Sequence, residues 1–257
     1  MNEFSIVLLG AGNVASFLLH AFKANGVAVE RIIARNEEKV SHLAAETGTA
    51  WSCDFSDLGS SESIVISAVR DSAAQELWSR CDFGGRLVLH TAGALPLSAL
   101  KPFAARCGVL YPLQTISAKD LPASSSVPFL VEADTPGDLK IVKSLAAKLS
   151  PQICECTSRK REKLHLAAVF ANNFSNLCFR MAWELAEKEG LPPELLLPLI
   201  EETCRKLHHI SPAEAQTGPA LRRDKNVMQK HLELLADMPE YAEFYRLASS
   251  EICRRKK

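Results

Sequence analysis

Apolar residues in the first half of the chain fall into short, continuous runs. These runs cover positions 4–9, 27–34, 63–69, 86–90, 108–111 and 128–131. Continuous runs of this length are typical of strands that are buried on both faces of a parallel sheet. Helical or turn segments, such as residues 72–78 and 97–105, lie between them. This alternation of strand and helix predicts an α/β fold built on a parallel sheet.

The pattern changes after Cys156, because no Gly or Pro then interrupts the chain until Gly190. A helix that starts near Thr157 can therefore run for about 32 residues, or roughly 48 Å. Its middle is apolar nearly all round, which indicates burial against a second domain or a second subunit. Further helix starts follow at residues 191–193, 224 and 239. We expect a sheet domain at 1–156 and an all-helical domain at 157–257.

The first predicted strand ends abruptly in a glycine turn, Gly10-Ala11-Gly12-Asn13-Val14-Ala15. This sequence fits the G-x-G-x-x-[GA] pattern of dinucleotide-binding domains, since a strand precedes it and a helix follows. The first glycine permits the tight turn, the second lets a pyrophosphate approach the backbone, and the small Ala15 allows close helix packing. We therefore predict a Rossmann-like domain. Its expected cofactor-binding residues are Gly10, Ala11, Gly12, Asn13 and Val14.

Residues at the ends of later predicted strands refine the choice of cofactor. A domain specific for NAD usually has a carboxylate at the end of its second strand, where it binds the ribose 2′-hydroxyl. Here the corresponding residue is Arg35, whose planar guanidinium suits a 2′-phosphate, so NADP is expected. The alternative is that Arg35 is a plain surface residue. Ligands bind beyond the carboxyl ends of such strands, so Val69, Arg70 and Ala92 are expected to line the cofactor crevice.

Composition and charge exclude several classes of protein. The chain has 257 residues, 47% hydrophobic and 23% charged, which is an ordinary globular composition. Thirty basic and thirty acidic residues give a net charge of zero, so no nucleic-acid partner is expected. The eight cysteines lack any C-x-x-C pair and complete no set of metal ligands, which favours reduced thiols, no metal site and a cytoplasmic location. The longest apolar stretch contains polar residues that are costly in a bilayer, so no membrane partner is expected.

The predicted long helix carries an unusual polar stripe. Steps of 100° per residue place His165, Asn172 and Asn176 within about 40° of one another, and Asn173 flanks them. Buried polar groups need partners, so these side chains either hydrogen-bond to neighbouring helices or face a ligand. The helix alone does not distinguish the two alternatives.

A second polar cluster follows the break at Gly218-Pro219. Arg222 and Asp224 lie at the predicted start of a helix, and His231, seven residues after Asp224, is on the same face. This cluster is either a helix N-cap with surface arginines or a site that holds a substrate carboxylate. In the second case, Arg222, Asp224 and His231 bind the substrate.

Six motifs together resemble a known family. They are Gly10 to Val14, Val69-Arg70-Asp71, His90-Thr91-Ala92-Gly93, Tyr111-Pro112-Leu113-Gln114, Leu164 to Asn173, and Thr217-Gly218-Pro219 to Asp224. The chain resembles bacterial Rossmann-like proteins with an uncharacterised C-terminal helical domain, which are related to pyrroline-5-carboxylate reductase and to deazaflavin-dependent NADP oxidoreductases. The resemblance covers nearly the whole chain and implies an NADP-binding domain followed by a helical dimerisation domain. The residues on family motif positions are His165, Asn173, Gly218, Pro219, Arg222, Asp224 and His231.

Three residues differ from the family pattern. We expect serine, histidine and glycine at the positions that Ala92, Tyr111 and Arg223 occupy. These differences bear on which of the family's roles the chain keeps.

The leading functional hypothesis is an NADP-dependent oxidoreductase that reduces a small carbonyl or imine substrate at the interdomain cleft. His165 would donate the proton, because an ordinary histidine pKa of about 6.5 suits proton transfer near neutral pH. Asn173 would donate a hydrogen bond to the developing negative charge. A ketopantoate reductase-like activity is an alternative within this class. A non-catalytic NADP-binding dimer with a sensing or regulatory role is an alternative outside it. The expected partners are a small-molecule substrate and a second copy of the chain, bound through the helical domain.

Overall fold

A computed structural model describes residues 4–255 of the chain. They divide into two compact units, of which the first runs to Asn172 and the second begins at Asn173. Eight strands of the first unit form one sheet. They are β1 (Ser5–Leu9), β2 (Ala28–Ile33), β3 (Ala50–Ser52), β4 (Ile64–Ser67), β5 (Leu87–His90), β6 (Arg106–Pro112), β7 (Phe129–Ala133) and β8 (Ile153–Glu155).

The strand order identifies the architecture. It is β3-β2-β1-β4-β5-β6-β7-β8, and neighbouring strands are parallel except for β6 and β7. The first six strands have the order of a doubly wound dinucleotide-binding sheet, in which ligands bind at the carboxyl ends where the order reverses, here between β1 and β4. The predicted fold class, a Rossmann-like parallel sheet domain followed by a helical region, is confirmed. The apolar run at 128–131 predicted strand β7 itself but not its antiparallel direction.

Helices of the same unit cover both faces of the sheet. They are α1 (Asn13–Ala24), α2 (Glu37–Thr47), α3 (Asp71–Trp78), α4 (Pro136–Leu149) and α5 (Ser158–Ala168). Along β1, Ile6 and Leu8 belong to one buried cluster, whereas Val7 and Leu9 belong to another. Because successive side chains of a strand point to opposite faces, β1 is buried on both sides, as its continuous apolar run predicts.

The first compact unit extends beyond the predicted boundary at residue 156. Strand β8 ends at Glu155 and α5 begins at Ser158, which matches the predicted change from sheet to helix. Helix α5 nevertheless belongs to the first unit, since the buried Arg161 forms an ion pair with Glu132 of β7. The change in secondary structure therefore precedes the change in compact unit.

The predicted long helix is not uniform. A π-helical segment, Val169–Phe174, follows α5 and leads into α6 (Ser175–Lys188). A π-helical turn contains more residues than an α-helical turn, so steps of 100° do not hold across this segment. The expected alignment of His165 with Asn172 and Asn176 assumed a regular α-helix, and that assumption was wrong. The division between the two units also lies inside this segment.

The rest of the second unit consists of shorter helices. They are α7 (Leu197–Lys206), α8 (Pro212–Ala215), α9 (Pro219–Arg222), α10 (Lys225–Leu234) and α11 (Pro239–Arg255). The helix starts predicted near residues 191–193, 224 and 239 are confirmed by the 3₁₀ turn at Pro193–Leu196 that precedes α7 and by the starts of α10 and α11. Among residues 4–255, no helix is long and apolar enough to cross a membrane.

Candidate active site

The glycine turn after β1 has the backbone geometry that its motif requires. Gly10 has a φ of 118°, a backbone conformation that L-residues with a side chain rarely adopt. A Cβ atom at Gly10 would lie 2.5 Å from the carbonyl oxygen of Ala68, and the Gly10 N–H donates to the carbonyl oxygen of Ile33 at 2.8 Å. Ile33 ends β2 and Ala68 follows β4. Gly10 therefore joins the carboxyl ends of three neighbouring strands.

The start of α1 is open to a phosphate group. Gly12 precedes the helix, whose first turn contains no acidic residue and receives no cap from a side chain of the described chain. A Cβ atom at Gly12 would meet no described atom within 4 Å, so the space in front of the helix is free. Unpaired N–H groups and the helix dipole favour an anion at such a position. The turn thus fits the pyrophosphate of a dinucleotide.

The other residues of the turn connect it to the core and to a loop. Ala11 and Val14 are partly buried and pack against the core cluster of β1. Asn13 is exposed, and its Nδ2 donates to the carbonyl oxygen of Ile116 at 3.0 Å. Ala15 is fully buried, which is consistent with close packing of α1 on the sheet.

Arg35 lies just beyond β2, as the sequence predicted. Its side chain is 56% exposed, and its Nη1 is 3.9 Å from Oε1 of Glu76, whose side chain is 70% exposed. An ion pair this long and this exposed contributes little free energy, so Arg35 can exchange it for another anion. The next residue, Asn36, caps α2 by accepting a hydrogen bond from the Lys39 N–H at 2.8 Å.

The three other predicted crevice residues also lie at the carboxyl edge of the sheet. Val69 and Arg70 connect β4 with α3, and Ala92 follows β5. A Cβ atom at Gly10 would lie 3.2 Å from Cγ1 of Val69, so this connection adjoins the glycine turn. Arg70 is exposed, whereas Ala92 is buried and its N–H donates to Nδ1 of His90 at 3.2 Å.

The structure places His165 beside Tyr111, a residue that the sequence analysis did not assign to the site. Tyr111 lies near the carboxyl end of β6, and α5 carries His165. The phenolic oxygen is 3.0 Å from Nδ1 of the imidazole, and the rings meet edge to face with centroids 5.9 Å apart. The sequence could have identified Tyr111 by its position at the end of a predicted strand, because β6 is parallel to β5 and ends at the same edge of the sheet. Tyrosine in place of histidine therefore gives His165 a hydroxyl partner.

Gly93 makes room for this pair of side chains. A Cβ atom at Gly93 would lie 2.6 Å from Nδ1 of His165 and 3.0 Å from Cζ of Tyr111. Any larger residue would have to displace one of the two rings. The loop after β5 therefore needs glycine because of its neighbours.

A buried charge network fixes the start of α5. Arg161 is 1% exposed; its Nη1 lies 2.5 Å from Oε2 of Glu132, and its Nη2 donates to the carbonyl oxygen of Leu95 at 2.6 Å. The backbone N–H and the hydroxyl of Ser158 also donate to the Glu132 carboxylate, at 2.9 and 2.8 Å. These bonds attach the first turn of α5 to β7 and to the loop after β5. His165, one turn after Arg161, is positioned by the same helix.

Burial, together with neighbouring charges, shifts the pKa values of Tyr111, Asp71 and His90. Burial raises the pKa of Tyr111, the carboxyl of Asp71 raises it further, and Arg161 opposes both. Desolvation raises the pKa of Asp71, and His165 opposes that change. Burial lowers the pKa of His90 to about 3, with a further contribution from Arg161. His90 is therefore neutral at physiological pH, and the phenol of Tyr111 keeps its proton.

Four predicted site residues lie in the second unit. Asn173 is exposed in the π-helical segment, and Arg222 ends α9. Asp224 caps α10 by accepting a hydrogen bond from a backbone N–H of its first turn at 3.1 Å. Nδ1 of His231 lies 2.9 Å from the hydroxyl of Tyr245. Asp224 thus fills the N-cap role that was one of the two alternatives for this cluster.

Comparisons with family models divide the chain into two matched regions. Residues 5–92 match the model described as NADP oxidoreductase coenzyme F420-dependent. Residues 127–252 match the model of a domain of unknown function, DUF2520. The first region contains the glycine turn, and the second contains His165 together with all four site residues of the second unit. A comparison with curated proteins finds no match.

Solved structures extend this comparison. The protein BF3122 from Bacteroides fragilis, provisionally named an NADP oxidoreductase, is 37% identical over 98% of this chain and 99% of its own, with a TM-score of 0.92. The protein TM1727 from Thermotoga maritima is 23% identical over 97% and 99% of the two chains, with a TM-score of 0.78. A pyrroline carboxylate reductase from Plasmodium falciparum, solved with NADP bound, is 14% identical over 99% and 98%, with a TM-score of 0.62. The last two share the fold. With a Rossmann-like NADP oxidoreductase region followed by a DUF2520 region, the chain belongs to the family of the Bacteroides fragilis protein.

Proposed function

We propose that this protein is an NADP-dependent oxidoreductase that reduces a small carbonyl or imine substrate. The observation that carries the proposal is the glycine turn, where Gly12 leaves open space before an uncovered helix start within the described chain. The Plasmodium falciparum reductase, which has the same fold, binds NADP, and this supports the choice of cofactor. A nicotinamide cofactor supplies hydride when it is bound.

Each predicted cofactor residue has a role in this proposal. The turn from Gly10 to Val14 binds the pyrophosphate through its N–H groups and those of α1. Arg35 binds the 2′-phosphate that distinguishes NADP from NAD. Val69, Arg70 and Ala92 line the crevice beyond β4 and β5.

His165 provides the proton that the reduced substrate needs. A positioned proton donor typically contributes about 10² to 10⁴ in rate. For the second unit, the proposal assigns to Asn173 a hydrogen bond to developing negative charge, and to Arg222, Asp224 and His231 the binding of the substrate. Because Asp224 already caps α10, its contribution to binding is the orientation of the helix start next to Arg222.

We also propose a homodimer formed through the helical region. Only four residues between Asn173 and Arg255 are buried in the chain on its own, so the second unit lacks an adequate core. A second copy brings the same apolar faces, and a two-fold contact buries both sets at once. Sedimentation equilibrium tests this assembly. A monomer at tens of micromolar, about the range at which weak dimers dissociate, would contradict it.

Cofactor binding tests the proposal first. Calorimetric titration should give tighter binding of NADPH than of NADH, and Arg35→Asp should remove that preference because it replaces the 2′-phosphate ligand with a carboxylate. Gly12→Val should weaken both cofactors, since its side chain enters the open space before α1. Lys140→Asp reverses an exposed charge on α4 and serves as the matched control. An unchanged ratio of the two dissociation constants in Arg35→Asp would remove this residue from cofactor recognition.

Turnover tests the catalytic part. NADPH oxidation should be followed by absorbance with a panel of small 2-oxo acids, branched keto acids and cyclic imines. His165→Ala should lower kcat by about 10² to 10⁴ and leave NADPH affinity nearly intact, because it removes a proton donor and no cofactor ligand. Turnover of ketopantoate above the other substrates would favour the ketopantoate reductase-like alternative. Tight NADPH binding without turnover of any substrate would favour the non-catalytic dimer.

A further inference from the structure

The direction of the hydrogen bond between Tyr111 and His165 is coupled to which nitrogen of the imidazole carries a proton. The phenol keeps its proton, because burial and the carboxyl of Asp71 both raise its pKa. At 3.0 Å from Nδ1, the phenolic O–H can donate only to a nitrogen that has no proton of its own. The phenolic oxygen can instead accept from an Nδ1–H, so the contact fits both neutral tautomers; the one in which the phenol donates leaves the imidazole proton on Nε2.

The surroundings of the ring fix its position beside Tyr111. Gly93 lies against the Nδ1 and Cγ edge of the imidazole, and the edge-to-face contact holds the phenol at the same edge. Arg161 and Glu132 fix the helix that carries the ring. Among the described residues of the first unit, Nε2 has no hydrogen-bond partner, so it is the atom left to meet a ligand.

We propose that Tyr111 acts through His165 as a positioning residue and proton source, so that the pair delivers a proton from Nε2 to the oxygen of a neutral carbonyl substrate. The substrate part of this inference rests on the proposed function. An N–H donor requires an acceptor, and a carbonyl oxygen offers two lone pairs. A protonated iminium has no lone pair on nitrogen, so the pair has no role in its reduction.

Reduction of an aldehyde or ketone needs one hydride and one proton. A bound reduced nicotinamide would supply the hydride to the carbonyl carbon, and the π electron pair would move to oxygen. The Nε2 proton passes to that oxygen as the phenolic proton of Tyr111 passes to Nδ1, and the product is an alcohol. The charge that remains is a phenolate. When solvent protonates Nε2, the Nδ1 proton returns to the phenolate and the starting tautomer is restored. Without Tyr111 the step would leave an imidazolate, a much stronger base than phenolate, so the tyrosine makes the transfer less costly.

The chain contains a matched control for this pair. In the second unit, Tyr245 contacts Nδ1 of His231 at 2.9 Å, and the two rings meet edge to face with centroids 5.6 Å apart. Tyr245→Phe therefore removes a hydroxyl from Nδ1 of His231, just as Tyr111→Phe removes one from Nδ1 of His165. It leaves Tyr111 and His165 unaltered.

Nitrogen-15 NMR of the full chain, labelled at histidine, tests the tautomer without any turnover. The resonances of His165 are assigned by their loss in His165→Gln. With the imidazole in its neutral form, the wild-type protein should show a protonated Nε2 and an unprotonated Nδ1 at His165. Tyr111→Phe should shift the Nδ1 resonance of His165 alone, and Tyr245→Phe should shift that of His231 alone. A proton on Nδ1 of His165 in the wild type, or a His165 spectrum unchanged by Tyr111→Phe, would overturn the proposed pair.

Kinetics tests the substrate class. With carbonyl substrates, Tyr111→Phe should lower kcat by about 10² or more, while KM and the dissociation constant of NADPH stay within about twofold. Turnover of iminium ions alone would overturn the carbonyl assignment. Failure of the proposed function would instead appear in the wild type as an absence of NADPH binding, or as an absence of turnover with either class of substrate. The NMR experiment depends on neither result.

Discussion

The two compact units of this chain bury their apolar residues very differently. In the first unit, consecutive residues of β1, such as Leu8 and Leu9, are both fully buried although they point to opposite faces. In the second unit, Leu235 is the largest of only four buried residues between positions 173 and 255. A sheet enclosed by helices of its own chain completes its core, whereas helices with broad apolar faces need a further surface. The comparison teaches that the second unit leaves most of its apolar surface uncovered in the single chain.

Exposed leucines show where the apolar surface of the second unit is not buried by the rest of the chain. Those more than half exposed in the second unit are Leu191, Leu195, Leu199, Leu234 and Leu247. Single exposed apolar residues are ordinary on protein surfaces, but such a concentration indicates an interaction site. The proposed occupant is a second copy of the chain.

A large effect is expected on assembly. The double variant Leu195→Asp/Leu199→Asp places two charges in and beside α7, where the exposed fractions of the leucines are 70% and 65%. Burial of unpaired charge in the dimer interface should raise its dissociation constant by about 100-fold or more, equivalent to ~2.7 kcal/mol. Sedimentation equilibrium over a range of protein concentrations measures this change.

A matched control comes from the first unit. Trp51 of β3 is 40% exposed, and Trp51→Ser should leave the dissociation constant of the dimer unchanged. Equal weakening by the two sets of substitutions would mean that the interface is not confined to the helical region.

Core truncation in the first unit should cost as much free energy or more, and its effect should not depend on protein concentration. Phe22 of α1 is fully buried, and Phe22→Ala should lower the free energy of unfolding by about 3–5 kcal/mol through lost burial and a cavity. Chemical denaturation at two protein concentrations measures both features. Leu247→Ala, at a site that is 69% exposed in the single chain, should instead have an effect that depends on concentration. The reverse pattern would contradict the comparison between the units.

The two glycines of the turn, Gly10 and Gly12, should differ in how much a side chain there lowers the stability of the first unit. Gly10→Ala forces a side chain into a φ of 118° and against the Ala68 carbonyl, so it should cost about 2 kcal/mol or more of unfolding free energy. Gly12→Ala meets no described atom within 4 Å and should change stability by less than about 0.5 kcal/mol. Thermal unfolding of the two variants without cofactor measures the difference. Similar melting temperatures would mean that the turn rearranges.

Much of the first unit could be predicted from the sequence because its signals are local. A continuous apolar run such as that of β1 follows directly from burial on both faces, and the glycine turn needs residues without a side chain at fixed spacing. The short strand β3 is an exception, since Trp51 and its neighbours form no apolar run. Local patterns also gave the cap at Asp224 and the position of Arg35.

The candidate site could be predicted less well because its contacts are distant along the chain. Tyr111 and His165 are 54 positions apart, and their meeting depends on how β6 and α5 pack. The network of Arg161, Glu132 and Leu95, which fixes α5, has no local pattern either. The π-helical segment was missed because periodicity assigns every residue of a long helix the same rotation.

The smallest expected effect concerns backbone strain at Arg223 in the second unit. The family pattern has glycine at this position, and the structure shows a backbone conformation that favours glycine. Arg223 replaces the expected glycine and has a φ of 58°, the one positive value at a non-glycine residue in the described chain. A left-handed conformation costs a residue with a side chain about 1–2 kcal/mol, and glycine loses about 0.5–1 kcal/mol more in backbone entropy on folding. Arg223→Gly should therefore stabilise the protein by about 0.5–1 kcal/mol, measured by urea unfolding.

The opposite substitution elsewhere in the same unit serves as the control for Arg223→Gly. Gly190 follows α6 with a φ of 67°, and a Cβ atom there would meet nothing within 4 Å among residues 4–255, so Gly190→Ala introduces strain without a clash. It should destabilise the protein by about 1 kcal/mol. Because both changes act on local backbone conformation, they should persist in the dissociated Leu195→Asp/Leu199→Asp background, provided that the monomer stays folded. A destabilised Arg223→Gly beside a destabilised Gly190→Ala would mean that the Arg223 side chain makes contacts worth more than the strain it causes.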